Sequence, residues 1–158
     1  MKNYHRRILG VLTLGGSATG VVLCSEQLIN SSGIAVMFIY TLFMSLYGWG
    51  IWLGVTVLEK QPNFERQLVK FWCMQVPVFW SPMVGYFFAS GFHATAFFNF
   101  STLTFTGNFQ LGSVYNFSLL RAGQPWQLGV NVFAIGVVLF LSAHIKGKTQ
   151  DFVSNSVD

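Results

Sequence analysis

Four stretches of this chain are apolar, free of Asp, Glu, Lys and Arg, and about as long as a bilayer is thick. The first starts at Ile8 and runs to about Cys24; an extension to Leu28 takes in Glu26, read as a solvated helix end. The others are Ile34–Leu58, Phe71–Phe92 and Trp126–Ile145. A helix needs about 20 residues to cross ~30 Å of hydrocarbon. It also satisfies its own backbone hydrogen bonds, which lipid cannot do. Composition agrees: 9% of residues are charged and 53% are hydrophobic, where about 25% charged is usual for soluble domains. The expected fold is an all-α integral membrane protein, a four-helix transmembrane bundle forming one domain over residues 1–158.

The basic residues orient these spans. With the N-terminus in the cytoplasm, Lys2, Arg6, Arg7, Lys60, Arg66, Lys70, Lys146 and Lys148 lie inside and only Arg121 outside. That bias fits the positive-inside rule and an even number of crossings. The basic start MKNYHRR and the apolar run after it resemble an export signal, but Leu23 is too large for the position before a lipidated Cys24, and Ile8–Leu23 is long for a signal core. An uncleaved helix is the better reading. The cations are dispersed, which sets nucleic-acid binding aside. The tail Thr149–Asp158 is polar.

Phe97–Leu120 is also uncharged, but its pattern differs. Apolar and small polar residues nearly alternate, a strand signal. Thr106-Gly107-Asn108 suits a tight turn. The expectation is an extracytoplasmic β-hairpin of about 98–119 between the third and fourth helices, with Phe98–Phe105 paired to Phe109–Leu119. Gly112 would mark a bulge. A fifth crossing would put Lys146 and Lys148 outside. Three Asn-x-Ser sequons, at Asn30, Asn99 and Asn116, fall in outer loops as short chance matches.

The spans hold no reactive constellation. None contains Asp, Glu, Lys or Arg in its interior, which weighs against ion-coupled transport. His93 and His144 fall at opposite ends of spans and cannot share a metal; both read as interfacial. Cys24 and Cys73 separate likewise. No nucleophile elbow, phosphate loop or carboxylate pair is present. The chain reads as neither an enzyme nor a cofactor carrier.

What the spans do contain is packing chemistry. Gly16-x-x-x-Gly20 and Gly50-x-x-x-Gly54 let helices approach closely, either within the bundle or onto a partner. Pro77 and Pro82 would kink the third helix, a kink that is either simply tolerated or opens a docking cleft. Trp49, Trp52, Trp72, Trp80 and Trp126 fall mostly near span ends, as interfacial anchors do.

Two patches carry a family resemblance. Leu68-Val69 with Cys73-x-x-x-Pro77-Val78-Phe79-Trp80, and Asn116-Phe117-Ser118-Leu119-x-x-Ala122-Gly123, resemble segments of immunity proteins against pore-forming colicins of the A and B group. The likeness covers about a third of the chain. Ser118, Leu120 and Arg121 depart from the family pattern, and the hairpin is an insertion. The resemblance implies four spans, cytoplasmic termini in a bacterial inner membrane, and binding of a toxin's membrane-inserted helices. The contact residues would be the glycine faces, Pro77 and Pro82, the loop Phe105, Asn108 and Phe109, and the loop with Arg121 and Gly123. The expected function is therefore a non-catalytic membrane binder surrounded by lipid and engaging a protein partner. The alternatives are an accessory subunit of a larger membrane complex and a small oligomeric channel lined by Gln75, Ser81, Ser90 and Asn131.

Overall fold

The first two apolar runs fold as helices. A computed structural model describes residues 3–62 and 64–154, with side chains as far as Gly147. Lys2 and the end of the polar tail lie outside the described residues, as does the side chain of Lys148. Helix α1 (Asn3–Asn30) and helix α2 (Ile34–Leu58) form an antiparallel hairpin. At 1.5 Å per residue they are about 42 and 37 Å long. Both are long and apolar enough to cross a membrane. Arg6 closes the hairpin's base, with Nη1 donating to the carbonyls of Val57 (2.8 Å) and Leu58 (2.7 Å) at the end of α2. The end of a helix leaves such carbonyls short of partners; Val57 O also accepts from Lys60 N–H (3.4 Å).

The other two runs do not form spans, so the four-helix bundle is not the fold. Helix α3 (Phe64–Cys73) starts before the third run and stops just inside it. The chain then enters three strands, β1 (Pro77–Trp80), β2 (Val84–Ala89) and β3 (Phe92–Asn99). The reason is local. Val76 to Phe100 is crowded with Val, Phe, Tyr and Trp, and each proline drives the residue before it to extended backbone. Pro77 is the first residue of β1, the one place where a central strand tolerates proline. Pro82 lies in the β1–β2 turn, where the Ser81 hydroxyl bonds Val84. Neither proline kinks a helix.

The fourth run is divided too. β6 (Gln127–Asn131) leads straight into α4 (Val132–Ser154). Asn131 makes the change of structure possible. Its Oδ1 accepts from Ala134 N–H (3.3 Å), capping the helix, and from Ala94 N–H on β3 (3.3 Å).

With β4 (Thr104–Leu111) and β5 (Val114–Leu119), these strands form one antiparallel sheet of order β4-β3-β6-β1-β2-β5. The expected hairpin is therefore corrected. β4 pairs with β3, from Phe92↔Leu111 to Asn99↔Thr104, and β5 pairs with β2 on the far edge. Thr106-Gly107-Asn108 lies inside β4. The turn falls at Phe100–Leu103, where Asn99 Oδ1 accepts from the N–H groups of Ser101 (2.9 Å) and Thr102 (3.4 Å). Gly112 is not a bulge: it links β4 to β5 with φ +131°, and its N–H donates to Gly91 O.

The sheet is strongly curled. β2 and β3 are three strand steps apart, about 14 Å if flat. Yet the Phe87 ring lies 6.4 Å from Phe97 and 5.3 Å from His93, ring centre to centre. The concave side closes over Val78, Phe87 and Ala89. Phe88, Tyr86, Tyr115 and Phe117 pack against the helices, in the cluster that includes Phe43, Tyr47, Phe71 and Trp72. Trp72 is fully buried, so it is no interfacial anchor, and Trp80 is half-buried beside the concave cluster; Trp52 and Trp126 are exposed.

Sheet and hairpin meet half-way along both helices. Tyr47 Oη donates toward the carbonyls of Ala89 (3.0 Å) and Val114 (3.1 Å). Ser17 Oγ and Ser90 Oγ are 3.0 Å apart. The four glycines make this closeness possible. A Cβ on Gly16 would lie 2.2 Å from Gly91 N, one on Gly20 would meet the Tyr47 ring, one on Gly50 would meet Ser17 and Phe71, and one on Gly54 would meet Leu14. All four serve contacts within the chain.

A paired substitution tests this seam. Gly16→Ala forces a methyl into backbone and should destabilise by roughly 1–3 kcal/mol, the usual cost of overpacking. Gly15→Ala, where a Cβ meets nothing within 4 Å, should be neutral or stabilise by up to ~1 kcal/mol through helix propensity. Thermal unfolding of both variants, followed by circular dichroism in one detergent, checks the contrast.

Candidate functional site

Charge and apolar surface are segregated in this fold. The start of α1, the end of α2, α3 and the end of α4 gather together: His5 stacks edge-on with Phe140, and His144 Nε2 is 3.8 Å from Glu65 Oε1. Arg6, Arg7, Lys60, Arg66, Lys70 and Lys146 all belong to these segments. The opposite end, at the α1–α2 tip, carries Glu26, and Arg121 lines a hollow there with Leu23, Gln27 and Ala35. Between the two ends much of the surface is apolar. Val11, Val22, Ile34, Phe38, Leu42 and Trp52 are exposed on the hairpin, and Phe105, Phe109, Leu128, Val132 and Leu139 on the sheet and α4.

The residues expected to bind a partner divide into separate groups. Phe105, Asn108 and Phe109 are all exposed on β4, an edge strand rather than a loop. Phe105 and Phe109 share a face with Phe98, and Asn108 points to the other side. Arg121 and Gly123 are exposed between β5 and β6, at the opposite edge. Pro77 is exposed at one end of β1, and Pro82 is half-buried beyond the other. No single surface unites them.

Two hollows leave no trace in the sequence because each needs elements far apart in the chain. One, of about 670 Å³, lies between the α1–α2 tip and the outer side of β5, with Leu23, Ala35, Ile39 and Tyr40 facing Tyr115 and Phe117. The other, of about 650 Å³, lies between α1, α4 and β3 and is lined by Ile8, Ala94, Phe133, Val137 and Phe140, with His5 at its border.

A polar seam runs under the sheet. Gln75 Oε1 accepts from Ser90 N–H (2.8 Å), and Asn131 binds two backbone N–H groups. His93 is 1% exposed on β3, so it is a buried group and not an interfacial one. Burial pushes its pKa below the ordinary histidine value, and a backbone hydrogen bond with Gly112 partly offsets the shift. Among the described residues no group of three or more His, Cys, Asp or Glu side chains is placed to hold a metal ion. Cys24 is buried and Cys73 exposed, both as free thiols.

Compared with known families, curated proteins and solved structures, the chain matches none.

The histidine gives a pH test. Its native pKa is depressed while the unfolded value stays near ~6.5, so the unfolded chain binds more protons below that pH. Stability should be full above pH ~6.5 and fall as pH drops toward the lower native value. In His93→Gln this component of the slope should vanish. Chemical unfolding in detergent between pH 5 and 8 measures it.

Proposed function

We propose that this chain is an integral membrane protein that acts by docking on another protein, with the α1–α2 hairpin crossing the bilayer. One observation carries the proposal: only 17% of the most apolar stretch of α2 is covered by the rest of the chain. Ile34, Phe38, Leu42 and Trp52 therefore face outward along a helix long enough to span. In water each would forgo roughly 1.5–3 kcal/mol of burial free energy; in lipid that cost disappears. The cations at the hairpin's base favour a cytoplasmic base and an outer tip, a bacterial inner membrane being the natural setting. The described residues offer exposed apolar edges and hollows suited to a protein surface.

Bacteriocin immunity is the most concrete form of this function. Its support is the residue resemblance at 68–69, 73–80 and 116–123 alone. The first patch runs from α3 into β1, where the family would require the start of a helix, and the second lies on β5 and the loop after it, where the family would have the link between two helices. An accessory subunit of a larger membrane complex is the competing form, supported by the same exposed belt.

Two measurements decide. The chain should resist carbonate extraction, and Ser32→Cys, made with Cys73→Ser, should react with an impermeant maleimide in intact cells. Release by carbonate, or labelling only after lysis, would overturn the membrane topology. Expression in a sensitive strain should then protect against at least one pore-forming colicin. Unchanged killing across the panel removes the immunity form, and co-purification with a large native complex favours the subunit form.

A further inference from the structure

β4 is an edge strand without any of the usual protections. It runs for eight residues in unbroken register with β3, and every residue is exposed. It contains no charge, no proline and no bulge. Natural edges are usually blunted by one of these devices because an open edge recruits another strand. Strand geometry turns the backbone groups of alternate residues outward. Four residues of β4 thus offer their N–H and C=O groups away from β3, with no backbone partner among the described residues outside that pairing. In water this edge invites pairing; in lipid an open edge is not tolerated at all. The edge therefore calls for a partner whether or not the chain enters a membrane.

We infer that β4 pairs antiparallel with β4 of a second copy of this chain, about a two-fold axis at Gly107, joining the two sheets into one. The sequence of the strand selects this partner and register. Residues opposite each other must share a face, so the register sums are even numbers. Centring on Gly107 sets Phe105 against Phe109 of the copy, twice, on one face. On the other face it sets Thr106 against Asn108 and Thr104 against Gln110. Aromatic pairs and hydrogen-bonding polar pairs are the favourable cross-strand combinations. At the axis Gly107 meets its own copy and brings no side chain to the pairing. No charge occurs from residue 97 to residue 120, so the two-fold brings no like charges together.

The apolar strip is small. Phe105 and Phe109 are 72% and 79% exposed, and Leu103 and Leu111 are 75% and 77% exposed. Covering about half of these removes roughly 300 Å² per copy, about 600 Å² in all, less than the ~1,000 Å² of a typical specific interface, so the strand-to-strand backbone hydrogen bonds carry the pairing. The contact is also closed. The other edge, β5, lies beside the α1–α2 tip, where Tyr115 Oη donates to Leu23 O (3.3 Å). A self-complementary contact through one edge stops at two chains.

The test uses the full chain in mild detergent and in lipid nanodiscs. Native mass should give two chains for the wild type. Phe109→Lys should give one chain with unchanged far-ultraviolet circular dichroism. Gly107→Cys, with Cys73→Ser, should form an intermolecular disulfide on oxidation. Opposed residues on paired strands have Cα atoms about 4.5–5.5 Å apart, within disulfide reach, and a Cβ on Gly107 meets nothing nearer than 3.8 Å. Ser101→Cys, in the turn beyond the strand, should not crosslink. A single chain at every concentration, a ladder of larger species, or a dimer that persists in Phe109→Lys while Gly107→Cys fails to crosslink would each overturn the proposal. If Phe109→Lys fails to fold, the cysteine pair decides alone. Release of the chain by carbonate would sink the membrane proposal and leave this one standing.

Discussion

The contact between Tyr47 and the sheet is the joint on which the rest of the structure depends. One phenol, buried in α2, meets carbonyls of two adjacent strands, Ala89 on β2 and Val114 on β5. It is reached only because Gly20 lets the ring lie against α1 and because Gly16 lets the β2–β3 turn touch the helix backbone. Around this point the rings of Phe43, Tyr47, Phe88 and Tyr115 lie 4.9–6.4 Å apart, centre to centre, at tilted or edge-on angles. A buried hydroxyl without such acceptors would cost about 1–3 kcal/mol, so the carbonyls fix both the sheet's distance and its height on the hairpin.

That height has a functional consequence. The sheet overlaps the middle of two helices that are long enough to span, so hairpin and sheet share one level in any membrane. Lipid is then available to the outer face of α2, while the strands must find their partners in protein. The hairpin tip lies beside β5, β3 holds one side of β4, and the remaining side of β4 stands open. The proposed membrane insertion and the proposed strand-edge docking would thus both follow from one packing arrangement.

Much of this is legible from residue order. The two N-terminal helices, their glycine faces and the basic bias toward one end all come from apolar length, small-residue spacing and charge. The strand character of Phe97–Leu120 is also legible, because alternation has a period of two. Sequence reasoning fails where apolarity is weighed without propensity. Phe71–Phe92 has the length and hydropathy of a span, but Pro77, Pro82 and the density of Val, Phe and Tyr make it two strands. Trp126–Ile145 changes structure at Asn131, whose capping role is hidden by the apolar residues on both sides of it. The Gly107-Asn108 pair misleads because Asn99, through its own side chain, supplies the turn eight residues earlier.

What the sequence determined by itself was a composition and two of the elements: few charges beside much apolar surface, and two uninterrupted helical runs long enough to span a membrane. Those depend on composition and on neighbours within a few residues. Tertiary structure decided the rest: that β5 would leave β4 for β2, that His93 would be buried, that the glycine faces would serve contacts inside the chain, and that Phe105 and Phe109 would stand on an open edge. Each of these depends on residues far apart in the chain, whose pairing is set by which surfaces fit. No local pattern contains that information.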